Sequence, residues 1–154
     1  MNKLTIKNKY IVPVYNVLDA LSIEGFKVKL GKGKLQNNLK SKLKEYQEDL
    51  DQINERYFQK DETGEFKREG GNLVWLDDYR TDYTKQKEAN EAIKELMEEE
   101  SIISLVEYET KIKSFYEALK EDKFTANHEM KDDDFEIMVE MLEEAFEKEE
   151  KENE

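Results

Sequence analysis

Leu39, Leu43, Tyr46, Leu50, Ile53 and Tyr57 follow one another at intervals of 4, 3, 4, 3 and 4 residues. This is a heptad a/d seam carried through nearly three heptads, with Lys, Glu, Asp and Gln at the other positions. Leu35 extends it by one turn towards the N-terminus. A helix with such a seam must cover it, either with another helix of the same chain or with a second copy. The pattern stops at "QKDETGEFKREGGN", where Asp61–Gly64 is a turn signature and Gly70-Gly71 a second breaker. Around them "GEFK" and "NLVWL" read as a small hairpin. From Asp77 a second helical pattern begins, with Tyr79, Tyr83, Gln86, Ala89 or Asn90, Ile93 and Leu96 or Met97. Two long helices joined this briefly are expected to run antiparallel, as a protruding hairpin over residues 33–100 with a β-like excursion at 60–76.

The flanking segments supply a base. "KLTIKN" alternates like a strand at residues 3–7, and the uncharged, β-branched "SIISLV" at 101–106 is its natural mate. Pro13 suits the first turn of a helix over 13–24 that carries Val14, Val17, Leu18 and Leu21, with Gly25 as its C′ residue. "GFKVKLGKGK" reads as a basic connection with three glycines. Further helices are expected at 107–121, around Tyr108, Ile112, Phe115 and Leu119, and at 133–148, around Phe135, Met138, Val139, Leu142, Ala145 and Phe146. The latter is the core of an acidic C-terminal segment, 129–154, ending in a frayed "EKEEKENE". The expected fold is one mainly helical α+β domain over residues 1–154, in which the helices must cover an otherwise marginal two-stranded sheet.

Composition narrows the chemistry. Among 154 residues there is no cysteine and one histidine. A disulfide scaffold, a cysteine nucleophile and a thiolate metal site are thereby excluded. The net charge of −13 is unevenly spread. Residues 1–44 hold ten lysines against Asp19 and Glu24, a balance of +8; residues 45–128 sum to −11 and residues 129–154 to −10. The chain is dipolar, with a basic head and an acidic tail. Its most apolar stretch, "YIVPVYNVL", falls far short of the roughly 20 residues a membrane span needs. With no signal-like cleavage site after it, a cytoplasmic location is expected.

Candidate chemical sites are few. "LGKGKL" at 30–35 combines glycines, lysines and a following helix start, as anion sites do, but lacks the P-loop spacing and a Ser or Thr for magnesium. A basic loop before a helix is the plainer reading. Asp132, Asp133 and Asp134 lack the alternation and the glycine of a calcium loop, and suit a helix N-terminus instead. His128 lies in a polar loop, and nearly every carboxylate falls on the polar face of an expected helix, so solvated acids are expected. No catalytic, cofactor or metal residues are expected, and the chain reads as no enzyme. Aromatic residues Phe58, Phe66, Trp75, Tyr79 and Tyr83 gather at the hairpin tip and return. They suit either packing or a protein contact, and Trp75 is the one to watch. The acidic helix, around Glu140, Glu143 and Glu144, offers a docking face for a basic partner, a mimic of nucleic acid or a solvated surface.

Segment order adds a resemblance. "LTIKNKYIVPVYNVLDALSIEGFK", a long charged helix, "MEEESIISLVEYETKIKSFYEAL" and a terminal "LEEAFEKE" together resemble a family of small uncharacterised proteins of Gram-positive bacteriophages and prophages. The resemblance covers most of the chain and carries over no catalytic or binding residue. It implies a small phage protein that acts by protein contact, in the bacterial host cytoplasm or in the virion.

The expected function is therefore non-enzymatic binding of a host defence or replication protein, which is inhibited or redirected. The contacts would be Phe66, Trp75, Tyr79, Glu140, Glu143 and Glu144. One alternative is a virion or assembly accessory of the tail or late region. Another is nucleic-acid binding through the lysine-rich head, although the acidic balance makes nucleic acid the lesser expectation. A homodimer through the Leu39/Leu43/Tyr46/Leu50/Ile53/Tyr57 seam is a further expectation. No cofactor and no membrane partner are expected.

Overall fold

The structure, a computed structural model, describes residues 3–148. They form five α-helices and three two-stranded antiparallel sheets, with elements in the order β1 (Lys3–Lys7), α1 (Ile11–Ala20), β2 (Leu21–Ile23), α2 (Phe26–Tyr57), β3 (Arg68–Glu69), β4 (Asn72–Leu73), α3 (Tyr83–Glu98), β5 (Glu100–Ser104), α4 (Glu109–Lys120), β6 (Phe124–Ala126) and α5 (Asp132–Glu143). The expected frayed end lies, from residue 149 onwards, outside the described residues. The described residues divide into two compact units, residues 3–43 with 100–148 and residues 44–99.

The first unit rests on the expected strand pair. β1 and β5 are antiparallel, with Leu4 opposite Ile103 and Ile6 opposite Ser101. Leu4, Ile6 and Ile103 are buried on one face, while Thr5 and Ile102 pair on the other, where Ile102 is exposed. Period-2 alternation fixes this register, because a one-residue slip would turn every apolar side chain to solvent. Helices α1 and α5 pack on each other, and α5 also packs on β1. The core joins Val14, Leu18, Leu35, Leu39, Phe115, Met138 and Leu142. The α5 stripe is buried as expected at Met138, Leu142, Ala145 and Phe146, whereas Phe135 and Val139 are half-buried. The helix itself ends at Glu143, and a π turn over Glu144–Lys148 carries Ala145 and Phe146 into the core.

Three local expectations are corrected. The first helix is Ile11–Ala20, not 13–24, because Leu21–Ile23 form β2 and pair with β6 inside the segment expected to be a loop. Gly25, at φ +103°, therefore precedes α2 rather than closing α1. The basic "GFKVKLGKGK" is helix, not connection: α2 begins at Phe26. Gly31 explains why a glycine sits there. A Cβ on it would lie 2.0 Å from the Lys111 carbonyl oxygen, so only glycine lets α2 approach the start of α4 this closely.

The second unit has a small core of its own, with Tyr57, Phe58 and Ala89 buried and Ile53, Phe66, Leu73, Trp75, Tyr79 and Ile93 packed around them. A short β-hairpin forms just beyond "GEFK": β3 and β4 flank Gly70 and Gly71, whose φ values of +59° and +84° are the positive angles a two-residue hairpin turn demands. Its arms then part around the chain leaving α2. Gln59 N–H donates to Val74 O at 2.8 Å and its carbonyl accepts from Lys67 N at 3.0 Å, with bridges Phe58 to Trp75 and Lys60 to Phe66. The second long helix begins at Tyr83 rather than Asp77; residues Asp77–Tyr79 make a 3-10 turn, and Asp82 caps α3 by accepting from Lys85 N–H at 3.1 Å.

The a/d stripe of α2 is not one continuous buried seam. Leu35 and Leu39 belong to the first core and Leu43 packs against it, whereas Tyr57 belongs to the second and Ile53 packs against that. Between them Tyr46 and Leu50 are only half-buried. No described helix is long and apolar enough to cross a membrane.

Candidate functional site

Of the expected contact residues, Phe66, Trp75 and Tyr79 come together, all half-buried, around the second core. Trp75 stacks on Phe58 with ring centroids 4.5 Å apart and planes 28° from parallel, and Tyr79 meets Tyr57 at 6.1 Å and 50°. Such offset and tilted contacts add to the area each ring buries. Gln59 fixes the backbone behind the rings: its Nε2 donates to Trp75 O at 2.8 Å and to Asp77 Oδ1 at 3.2 Å. Gln86, which interrupts the apolar stripe of α3, donates to the carbonyls of Tyr79 and Arg80 at 2.8 and 3.0 Å. Its break in the pattern thus anchors the turn that places Tyr79. Tyr83, the first residue of α3, is 79% exposed.

Beside the rings, Lys60 lies 5.1 Å from the Phe66 ring centre and pairs with Glu55. A shallow hollow of about 360 Å³ opens here, walled by Glu55, Lys60, Phe66 and Arg68. The Asp61 carboxylate closes the preceding turn. It accepts from Thr63 N–H at 2.8 Å, Thr63 Oγ1 at 2.6 Å and Glu65 N–H at 3.1 Å, and the hydroxyl bond above all holds it below the ordinary carboxylate range.

Glu140, Glu143 and Glu144, the other expected contacts, are exposed in the first unit. Just beyond them, Phe146 stacks on Tyr116 at 5.7 Å, Lys120 lies 5.2 Å from the Tyr116 ring centre, and Lys120 Nζ pairs with Glu147 at 2.8 Å. Burial, a hydrogen bond to Glu147 and the charges of Glu147 and Glu143 push the Tyr116 phenol well above its usual range. This cluster fastens the π turn to α4.

The "LGKGKL" residues are helical, so their backbone groups belong to α2 and form no phosphate-binding loop. A cleft of about 570 Å³, which no sequence pattern announces, lies nearby, lined by Ser22, Lys29, Lys123, Phe124 and Thr125. Strands of three residues carry too little periodicity to announce it. Burial pulls Lys32 beneath its usual range, opposed by Asp19, while its ammonium donates to Leu21 O at 2.6 Å. Asp132, Asp133 and Asp134 occupy the first turn of α5, where acids suit the helix dipole, yet no side chain caps that helix. His128 is exposed. Among the described residues no three His, Cys, Asp or Glu side chains are grouped to hold a metal.

A larger and a smaller core, five helices and short two-stranded antiparallel sheets define a mainly helical α+β protein. The chain belongs to the family described as "Protein of unknown function (DUF1617)", whose model matches residues 2–153. No curated protein and no solved structure matches it.

Proposed function

We propose that the chain is a non-enzymatic bacteriophage protein that binds a host defence or replication protein in the bacterial cytoplasm and inhibits or redirects it. The observation that supports this reading best is the half-exposed Trp75, stacked on Phe58 and flanked by Phe66 and Tyr79. Large rings held rigid at a surface lose little entropy on binding and carry much of the energy of protein interfaces. Glu140, Glu143 and Glu144 offer a second, electrostatic contact for a basic patch.

The test is a pull-down from host lysate with the tagged full chain, repeated with Phe66→Ala and with Tyr83→Ala. A stoichiometric partner that the ring variants lose supports the reading; the absence of one sinks it. Mass spectrometry of purified phage particles addresses the alternative of a virion accessory, which requires structural copy number there. A nucleic-acid reading draws on the exposed Lys27, Lys29, Lys40 and Lys44 of α2. It requires DNA or RNA binding that falls steeply with salt.

A further inference from the structure

Helix α2 has a second stripe, on the side away from its a/d residues. Asn37, Lys40, Lys44, Glu48, Asp51 and Glu55 follow at intervals of 3, 4, 4, 3 and 4, and all are exposed. The stripe changes sign midway. From Phe26 to Lys44 the helix carries seven lysines and no acid; from Glu45 to Glu55 it carries five acids and no base. Helix stability does not account for this order. Lys27 and Lys29 in the first turn and Glu55 in the last all oppose the macrodipole. A lysine four residues before a glutamate is also the poorer orientation for a pair within one helix. Lys44, Glu48 and Asp51 form no ion pair with any described residue, and Lys40 touches only the Tyr15 ring, at 5.6 Å.

We propose that this face is a self-complementary contact between two copies of the chain, α2 against α2 in antiparallel alignment. Residues that face each other across a centre at position 46, to within half a residue, carry matching chemistry. Lys44 meets Glu48 of the second copy, Lys40 meets Asp51, and Asn37 meets Glu55, each pairing occurring twice about a two-fold axis. An isologous contact demands such self-complementarity. A parallel alignment would set lysine on lysine and acid on acid. Because the face is polar and exposed, the dimer is weak and salt-sensitive, unlike one held by the apolar seam. The proposal goes beyond the partner-binding reading and does not depend on it, since purified protein alone decides it.

Sedimentation of the full chain at low and high salt is the first measurement. A dimer at low salt that weakens by at least about tenfold at high salt supports the contact. Lys40→Glu with Lys44→Glu should be monomeric, as should Glu48→Lys with Asp51→Lys, and an equimolar mixture of the two variants should re-associate. Circular dichroism establishes that both remain folded. A wild-type chain that is monomeric throughout, or a dimer indifferent to salt and charge reversal, overturns the proposal. The absence of cysteine allows the alignment to be read by crosslinking. Mixed Asn37→Cys and Glu55→Cys chains should form a mixed disulfide dimer, whereas preferential pairing of Asn37→Cys with itself refutes the antiparallel arrangement.

Discussion

The two units are built by different means. In the first, β1 pairs with a strand about a hundred residues away, and Ser101 Oγ donates to Asn8 Oδ1 at 2.6 Å across a separation of 93 positions. Its core collects residues from both ends of the chain and closes around a glycine that backbone contact makes irreplaceable. In the second, the contacts lie within residues 44–99, and Tyr57, Phe58 and Ala89 hold a ring of half-buried side chains. A core so small excludes little water, so local hydrogen bonds such as those of Gln59 matter more there. The difference teaches that one unit draws its stability from long-range burial and the other from short-range geometry.

The largest expected effect tests the long-range side. Gly31→Ala drives a methyl group into the Lys111 carbonyl and should cost about 3 kcal/mol or more by denaturant unfolding. A loss below about 1 kcal/mol would mean that α2 and α4 yield easily. Next comes a contrast along one helix. Leu39→Ala, at a fully buried site, should cost about 3 kcal/mol, and Leu50→Ala, at a half-buried one, about 1 kcal/mol. Equal costs would restore the continuous seam that the heptad spacing suggests. Smaller again, Gln59→Ala should cost about 1 kcal/mol, with hydrogen exchange accelerating over residues 57–76 while β1 and β5 stay protected. Acceleration spread evenly through both units would erase the comparison.

The smallest effect is one of pH. Tyr116 holds its proton more tightly in the folded chain than an unfolded tyrosine does, for which the midpoint is about 10. Its contribution is therefore complete below that pH and is lost as pH rises above it. Tyr46, raised by burial, acts in the same direction. Tyr116→Phe should flatten the alkaline decline in stability measured by thermal unfolding. An unchanged slope would remove Tyr116 from the account.

What could be read from the sequence was what periodicity encodes. Leu4, Ile6 and Ile103 alternate, so their strands and their pairing were legible; Leu35 and Leu39 repeat at helical spacing, so their burial was too. Periodicity does not say what covers an apolar face, and so it could not show the stripe of α2 parting between two cores. Gly31 was misread because glycine signals flexibility and close approach with the same letter. β2 and β6 were missed because three residues hold barely one period. For the candidate site, clustering in sequence placed Phe66, Trp75 and Tyr79 near one another, but the residues that hold them, Gln59 and Gln86, read only as polar interruptions. The cleft at Ser22 and Thr125 depends wholly on the unforeseen strand pair.

The pairing of β1 with β5 also sets an order in time. Synthesis proceeds from the N-terminus, so β1 leaves the ribosome long before Glu100–Ser104 exist. Residues 44–99 can complete their short-range contacts in that interval, while Leu4 and Ile6 wait without their mate. Though made before the rest of its unit, β1 is thus among the last segments to be locked. Throughout that wait the nascent chain exposes an unpaired apolar strand, the kind of edge on which chaperones and misassembly compete.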